Sequence, residues 1–377
     1  MNKRRISLIT LIMFAIMSVG APVMAGDTTN AVVAEQPQLS LAEAVKLALH
    51  NSETLEKARL GTQLADENRE DAALMWHPSW TYNAPDGTEG IYSALLATRY
   101  AYSAAEKNET ITEDTIVTDT IKKYYEVLMA SQAVSGKEKN LAAAETAHKI
   151  AQLNYQVGLG SWLQAMQAQT NLAAAQAALT AAQNDLAKAY LSLNQQVGLA
   201  PESRPELTDQ PSYSEYVVDN LTSKVNGIIS DSPIRWISRE GVKLQNRLVD
   251  APGSTEQDDL EAQQAELDAE AMEKTTANAL YNLYYGIKNM ETSYAAAQEG
   301  LKLARQGVKI AELKQEIGMG TKAEVETAQI ALANAEQGLF TLTCQHELLE
   351  VAFEKPWTAG VVASSASSAS TQQNSGK

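Results

Sequence analysis

The sequence predicts a mainly α-helical protein built from duplicated long antiparallel α-helical hairpins, with a reduced β-hairpin region at most. Three observations predict it. Strong helix formers dominate, and 6% aromatic residues with only 3 Phe leave too little material for an all-β fold. Long proline-free stretches carry apolar residues at helical spacing, as in Ile121, Tyr124, Tyr125 and Leu128, then Leu141, Ala144, Ala147, Ile150 and Ala151. The chain also repeats itself: an offset of 160 positions aligns Tyr124-Tyr125 with Tyr284-Tyr285, Lys149-Ile150-Ala151 with Lys309-Ile310-Ala311, and Gly158 and Gly160 with Gly318 and Gly320. That register gives roughly sixteen identities over about fifty-six gap-free pairs. Alanine-rich composition would not place both Gly-x-Gly turns and both Tyr-Tyr pairs in one register.

Taken in order, residues 1–25 read as a secretory signal peptide. Lys3-Arg4-Arg5 supplies the positive end, residues 6–19 an apolar run too short to span a bilayer, and Val23-Met24-Ala25 the small residues for cleavage. No Cys follows that run, which argues against a lipid anchor, and no other apolar stretch of about twenty residues exists. Residues 26–38 are a linker. The first helical repeat spans 39–205. It opens with a short pair, 41–50 and 53–74, broken at Asn51-Ser52, where serine caps the second member. A long helix is expected from about residue 110 to 157, then the turn Gly158-Leu159-Gly160-Ser161, then a return helix from Trp162 to about Val197. The second repeat, 206–357, echoes this with a pair at 213–229 and 233–249 broken at Asp231-Ser232. A helix from Glu256 to Ile317, the turn Gly318-Met319-Gly320-Thr321 and a helix to about Phe353 complete it. Such helices are rods of roughly 50 to 90 Å. Their Ala-rich seams, as at residues 172–183, allow close approach but make each contact weak, which points to oligomerisation. Residues 358–377, rich in Ser, Ala and Gln, are expected to be disordered.

The region 75–103 interrupts the symmetry. Trp76, Pro78, Trp80 and Tyr82 alternate with polar residues, as in a strand with one lipid-facing side, and Pro85-Asp86-Gly87 signals a turn. Tyr92, Tyr100 and Tyr102 fit a second arm of a hairpin. Tyr92, Leu95, Leu96, Arg99 and Tyr102 also fit a helix, so both readings stand at this point.

A formal charge of −16, more negative still once Lys3, Arg4 and Arg5 are removed, excludes a nucleic-acid partner, because phosphate binding needs clustered Lys and Arg. One cysteine, Cys344, cannot form an internal disulfide, and the four histidines, His50, His77, His148 and His346, lie far apart. No base or nucleophile accompanies His148 or His346, which are read as half-exposed helix positions. No metal, cofactor or catalytic residue is expected, and the chain does not read as an enzyme.

The phrase Leu39-Ser40-Leu41-Ala42-Glu43-Ala44-Val45-Lys46-Leu47-Ala48-Leu49-His50-Asn51-Ser52, the two Gly-x-Gly turns and the Ala-Gln-x-x-Leu phrases after them resemble the TolC-type outer-membrane efflux proteins over residues 39–357. The resemblance implies a TolC-like tube: a homotrimer whose hairpins form a periplasmic duct, set in outer-membrane lipid and meeting a periplasmic adaptor and inner-membrane pump. It implies that the duct is a passive exit for small molecules or exported substrates. It implies adaptor contact at Gly158, Leu159, Gly160, Ser161, Gly318, Met319, Gly320 and Thr321, and a pore constriction at Glu324. Membrane anchoring would fall to Trp76, Trp80, Tyr82, Tyr92, Tyr100 and Tyr102. Gln164 replaces the acid in the first repeat, and Thr327 stands where a second acid often follows. The family norm of two hairpins per chain gives twelve strands in a trimer, whereas one hairpin here gives six, below the roughly eight an ordinary barrel needs. The alternative expectation is therefore a periplasmic helical scaffold of the same fold that has lost its barrel.

Overall fold

A computed structural model describes residues 38–75, 89–250 and 255–358. The signal segment, the first arm of the expected hairpin with Trp76, Trp80 and Tyr82, and the tail beyond residue 358 lie outside the described residues. Helix α1 (Leu41–Asn51) starts in a capping box, the Ser40 hydroxyl accepting from the Glu43 N–H while the Ser40 N–H donates to the Glu43 carboxylate. The Ser40 backbone bond, reinforced by its hydroxyl, holds that carboxyl below its ordinary range. Ser52 ends α1 and caps α2 (Glu53–Met75), its hydroxyl accepting from the Leu55 N–H at 3.2 Å.

Helix α3 (Glu89–Gln156) is longer than the spacing predicts, beginning at Glu89 rather than near residue 110. Residues 91–103 are therefore helical, and the strand reading of Tyr92, Tyr100 and Tyr102 is overturned. The reason is packing: Leu95 and Leu96 are both buried, which an alternating strand with one buried face does not allow and a helix does. The return helix α4 (Trp162–Val197) ends at Gly198 in the left-handed region, φ 76°.

Two short parallel strands, β1 (Gln38–Leu39) and β2 (Glu206–Leu207), pair Leu39 with Leu207. Tyr124 locks them to α3. Its buried hydroxyl donates to the Leu39 carbonyl at 3.1 Å and accepts from the Asp209 N–H at 3.0 Å. Residues 208–220 then cross the bundle as an irregular strap. Helix α5 (Leu221–Asp231) begins only where the Asn220 side chain accepts from the Ser223 N–H, eight residues later than expected. Helix α6 (Pro233–Val249) takes Ser232 as cap and Pro233 at its first position. The second hairpin is α7 (Glu256–Glu316) and α8 (Lys322–Glu354).

Packing sets these rods side by side. In the half nearer the turns, α4 lies on α3, α3 on α8, and α8 on α7; in the other half the order is α2, α3, α6, α7. Helix α3 is interior throughout, while α2 and α4 bound one edge of the row and α7 the other. One core gathers Tyr124, Tyr125, Val127, Leu193 and Val197 with Ala44 and Ala48 of α1; a second gathers Val225, Ile228, Leu280, Ile287 and Phe353. After α8, a single turn at Pro356–Thr358 fastens back to α3: Trp357 Nε1 donates to Asp114 at 2.8 Å, and Lys355 pairs with the same carboxylate.

Candidate functional site

The two turns have one geometry. In the first, the Leu159 and Gly160 N–H groups both donate to the Asn154 carbonyl, at 2.8 and 2.9 Å; in the second, Met319 and Gly320 both donate to Lys314 at 2.8 Å. The first glycine of each pair supplies the positive φ, 79° at Gly158 and 73° at Gly318. The second supplies room, since a Cβ at Gly160 would stand 3.1 Å from that of Asn154, and one at Gly320 2.8 Å from that of Lys314. This explains why Gly-x-Gly recurs. The residue between is pushed outward, Leu159 being 82% and Met319 78% exposed.

Ser161 and Thr321 then cap α4 and α8 through reciprocal boxes with Gln164 and Glu324. The Ser161 N–H donates to Gln164 Oε1 at 2.9 Å and the Thr321 N–H to Glu324 Oε2 at 3.2 Å. Gln164 and Glu324 thus hold the same third helical position and do the same local work. Glu324 is exposed, at a helix start where the dipole favours its charge.

The two tips differ sharply in charge. Residues 150–184 contain no Asp, Glu, Lys, Arg or His. At the equivalent positions of the second tip, Lys314 replaces Asn154, Glu316 replaces Gln156, Lys322 replaces Trp162, Glu324 replaces Gln164 and Glu326 replaces Met166. Val157, Trp162 and Leu163 are each at least 60% exposed. The first tip is therefore an apolar, neutral knob and the second a zwitterionic one. Glu326 also ties the tips together, accepting from Thr146 of α3 at 3.1 Å.

Of the expected aromatic anchors, Tyr100 and Tyr102 are drawn into helix contacts. Tyr100 donates to the Ile237 carbonyl of α6, and Tyr102 donates to Glu106 with Arg69 of α2 4.7 Å above its ring. Cys344 is buried, and burial pushes its thiol up to about 12, which makes it inert at neutral pH. Among the described residues no group of three His, Cys, Asp or Glu side chains could hold a metal ion, and no helix is long and apolar enough to cross a membrane.

Sequence reasoning missed His346. It is 1% exposed rather than half-exposed. The repeat held the signal: position 186, its counterpart, is Leu186, half-buried against the first core.

Comparison with known proteins places this arrangement in a class. Residues 86–199 match the family described as outer membrane efflux protein, as the sequence resemblance implies. The helical-tube fold is that of solved outer-membrane channels of the TolC type. The outer membrane protein VceC of Vibrio cholerae is 15% identical with a TM-score of 0.59, over 85% of this chain and 95% of that one. The CmeC outer membrane channel of Campylobacter jejuni is 12% identical with a TM-score of 0.64, over 95% and 99%. The open-state MtrE outer membrane channel of Neisseria gonorrhoeae is 12% identical with a TM-score of 0.62, over 85% and 89%. No curated protein matches the chain.

Proposed function

We propose that this protein is the outer-membrane duct component of a tripartite efflux or secretion system, a passive exit that performs no chemistry. One observation carries the reading: the rods form a row with two open edges, α4 with α2 on one side and α7 on the other. A row with unlike edges closes on itself only through further copies joined head to tail, which makes a ring. Three copies in a ring give the duct, and its lumen conducts without hydrolysing nucleotide. The likeness to CmeC over 95% of this chain supports the same reading at the level of fold.

In this duct the turns at Gly158 to Ser161 and Gly318 to Thr321 meet the periplasmic adaptor that links to the inner-membrane pump. The neutral first tip makes the apolar contact, and the charged second tip makes the salt-sensitive one. Glu324, three per ring, lines the constriction and favours cations there. Membrane anchoring in this reading falls to Trp76, Trp80 and Tyr82, which lie outside the described residues. The test is density-gradient separation of the two membranes with an alkaline wash, followed by conductance in planar bilayers. Retention in the outer membrane and discrete channels support the duct, and their absence defeats it.

A second reading rests on helix α3. Because it begins at Glu89, only thirteen residues, 76–88, separate it from Met75, the end of α2. Two membrane-crossing strands need about twenty. That length favours a periplasmic tube of the same fold, which the alkaline wash would release.

A further inference from the structure

His346 sits on α8 between two carboxylates on different helices. Its Nε2 faces Glu291 Oε1 of α7 at 3.6 Å, and its Nδ1 faces Glu350 Oε1 one turn along α8 at 3.4 Å. Neither Nε2 nor Glu350 Oε1, both buried, has a hydrogen-bond partner. Neutral imidazole has one N–H, whichever tautomer it takes, so one of its nitrogens would then point a lone pair at a carboxylate oxygen. Only imidazolium can donate to both sides.

Two of the neighbouring acids are already partnered. Glu291 is held by Lys288 at 2.8 Å and Glu354 by Lys224 and Tyr216, whereas Glu347 Oε2, like Glu350 Oε1, is buried with no hydrogen-bond partner. Glu350 is left with His346. The first repeat has no such arrangement: at the same offset Leu186, Tyr190 and Ser131 stand for His346, Glu350 and Glu291.

The cluster is bonded to the strap that joins the repeats. Glu291 Oε1, the oxygen facing His346, accepts from the Tyr216 N–H at 2.9 Å, and Lys288 donates to the Tyr216 carbonyl at 2.9 Å. Tyr213 of the strap stacks on Tyr294 of α7, centroids 3.6 Å apart, and tilts over the His346 ring at 5.0 Å. A positive imidazole ring strengthens that last contact.

We infer that His346 is a proton-operated clasp on the strap of residues 208–220, closed when the imidazole is protonated and loosened when it is neutral. The groups around it that carry or take charge are Lys288, Glu291 and Tyr294 on α7, Tyr213 and Glu215 on the strap, Glu347, Glu350 and Glu354 on α8, and Tyr125 on α3. Burial, which outweighs the opposing effect of His346, pushes the Glu350 carboxyl above its ordinary value of 4.5. A group raised in the fold holds its proton more tightly than in the unfolded chain, so its contribution is present at low pH and lost as pH rises from that value. Glu291 works the other way. Burial pushes it up, but Lys288, the Tyr216 N–H and His346 together bring it below 4.5, so its contribution is lost as pH falls below that value. Comparing variants at mildly acidic and mildly alkaline pH separates the two.

The experiment is amide hydrogen exchange of the strap in the full mature protein at about pH 5.5 and about pH 8, corrected for intrinsic rates. Expected is protection of residues 213–217 at least about threefold greater at the acidic pH, a ratio falling to about one in His346→Leu, which restores the first repeat's residue. The double variant His346→Leu/Glu350→Gln, which also removes the unpaired Glu350 carboxylate, should behave alike. A wild-type ratio of one, or a ratio that survives either substitution, overturns the clasp. Should both variants fail to fold, carbon-13-labelled histidine in the wild type decides: an imidazole that does not titrate across this range, or titrates without loosening the strap, overturns it. The duct reading is not needed for any of these outcomes.

Discussion

Gly158, Gly198 and Gly318 share a positive φ, yet they do not have the same surroundings. A Cβ at Gly158 or Gly318 meets nothing within 4 Å, whereas at Gly198 it would stand 2.5 Å from Asn51 Nδ2, which donates to the Val197 carbonyl. Gly158→Ala should therefore cost only the left-handed backbone strain, about 1 kcal/mol. Gly198→Ala should cost that and the Asn51 bond, about 2 to 3 kcal/mol in all. Urea unfolding of the two variants measures the difference, and equal losses would show that Asn51 yields freely. At this scale the turn glycines, both Ser/Thr caps and the Tyr-Tyr register were legible, because each has a local cause that repeats. His346 was not legible from its own neighbourhood in sequence. Its ring meets α7 and the strap, and nothing within a few residues of position 346 records their arrival.

At the scale of elements, helix spacing and caps located every long rod, since a 3.6-residue period with Ser, Thr or Gly at its ends leaves few alternatives. The failures were at elements whose contacts are distant. Residues 91–103 satisfy both periods, and the helix wins because Tyr100 reaches Ile237 of α6, which is far away in sequence. Residues 213–220 were read as the start of a helix, yet Lys288 and Glu291 claim the backbone at Tyr216. Helix α6 is clamped to α7 by a half-buried fork in which Arg239 and Arg235 both donate to Glu273. The Arg239 bonds, against the opposing effect of burial, hold the Glu273 carboxyl below 4.5. A depressed carboxyl stabilises the fold above its unfolded value and loses that contribution as pH falls through its folded one. Glu273→Gln should cost about 1 to 2 kcal/mol at neutral pH. Its loss on acidification below 4.5 should be smaller than the wild type's, with the chemical-denaturation midpoint as the readout.

At the scale of the whole molecule, the open edge of α7 carries Gly286, Ser293, Gly300 and Gly307 at seven-residue intervals, and a Cβ at any of the three glycines meets nothing within 4 Å. Within one chain, filling that stripe should do no harm. Gly300→Gln with Gly307→Gln should raise monomer stability by up to about 1 kcal/mol through helix propensity. If neighbouring copies close the ring through this edge, the same change should block assembly. Sedimentation velocity reads the outcome: a stable monomer supports closure through α7, and an intact oligomer places the junction elsewhere. Fold class and turn geometry were thus readable at this scale. The order of rods in the row was not, because Ala- and Gln-rich surfaces give little contrast between a face that meets a neighbour and one that does not.

The fastening of both ends of the described fold to α3 has a mechanical consequence. Leu39 is tied at Tyr124 and Trp357 at Asp114, ten positions apart on one helix, a span of about 15 Å. Tension applied between residues 39 and 357 would travel through that short segment and leave both distant tips slack. The segment from residue 39 to residue 357 is in effect a closed loop with a seam. Bridging residues 38 and 358 with a flexible linker and opening the backbone between Leu159 and Gly160 should yield a circular permutant of native helicity, as circular dichroism would show. Its thermal midpoint should fall only as far as losing one exposed turn requires.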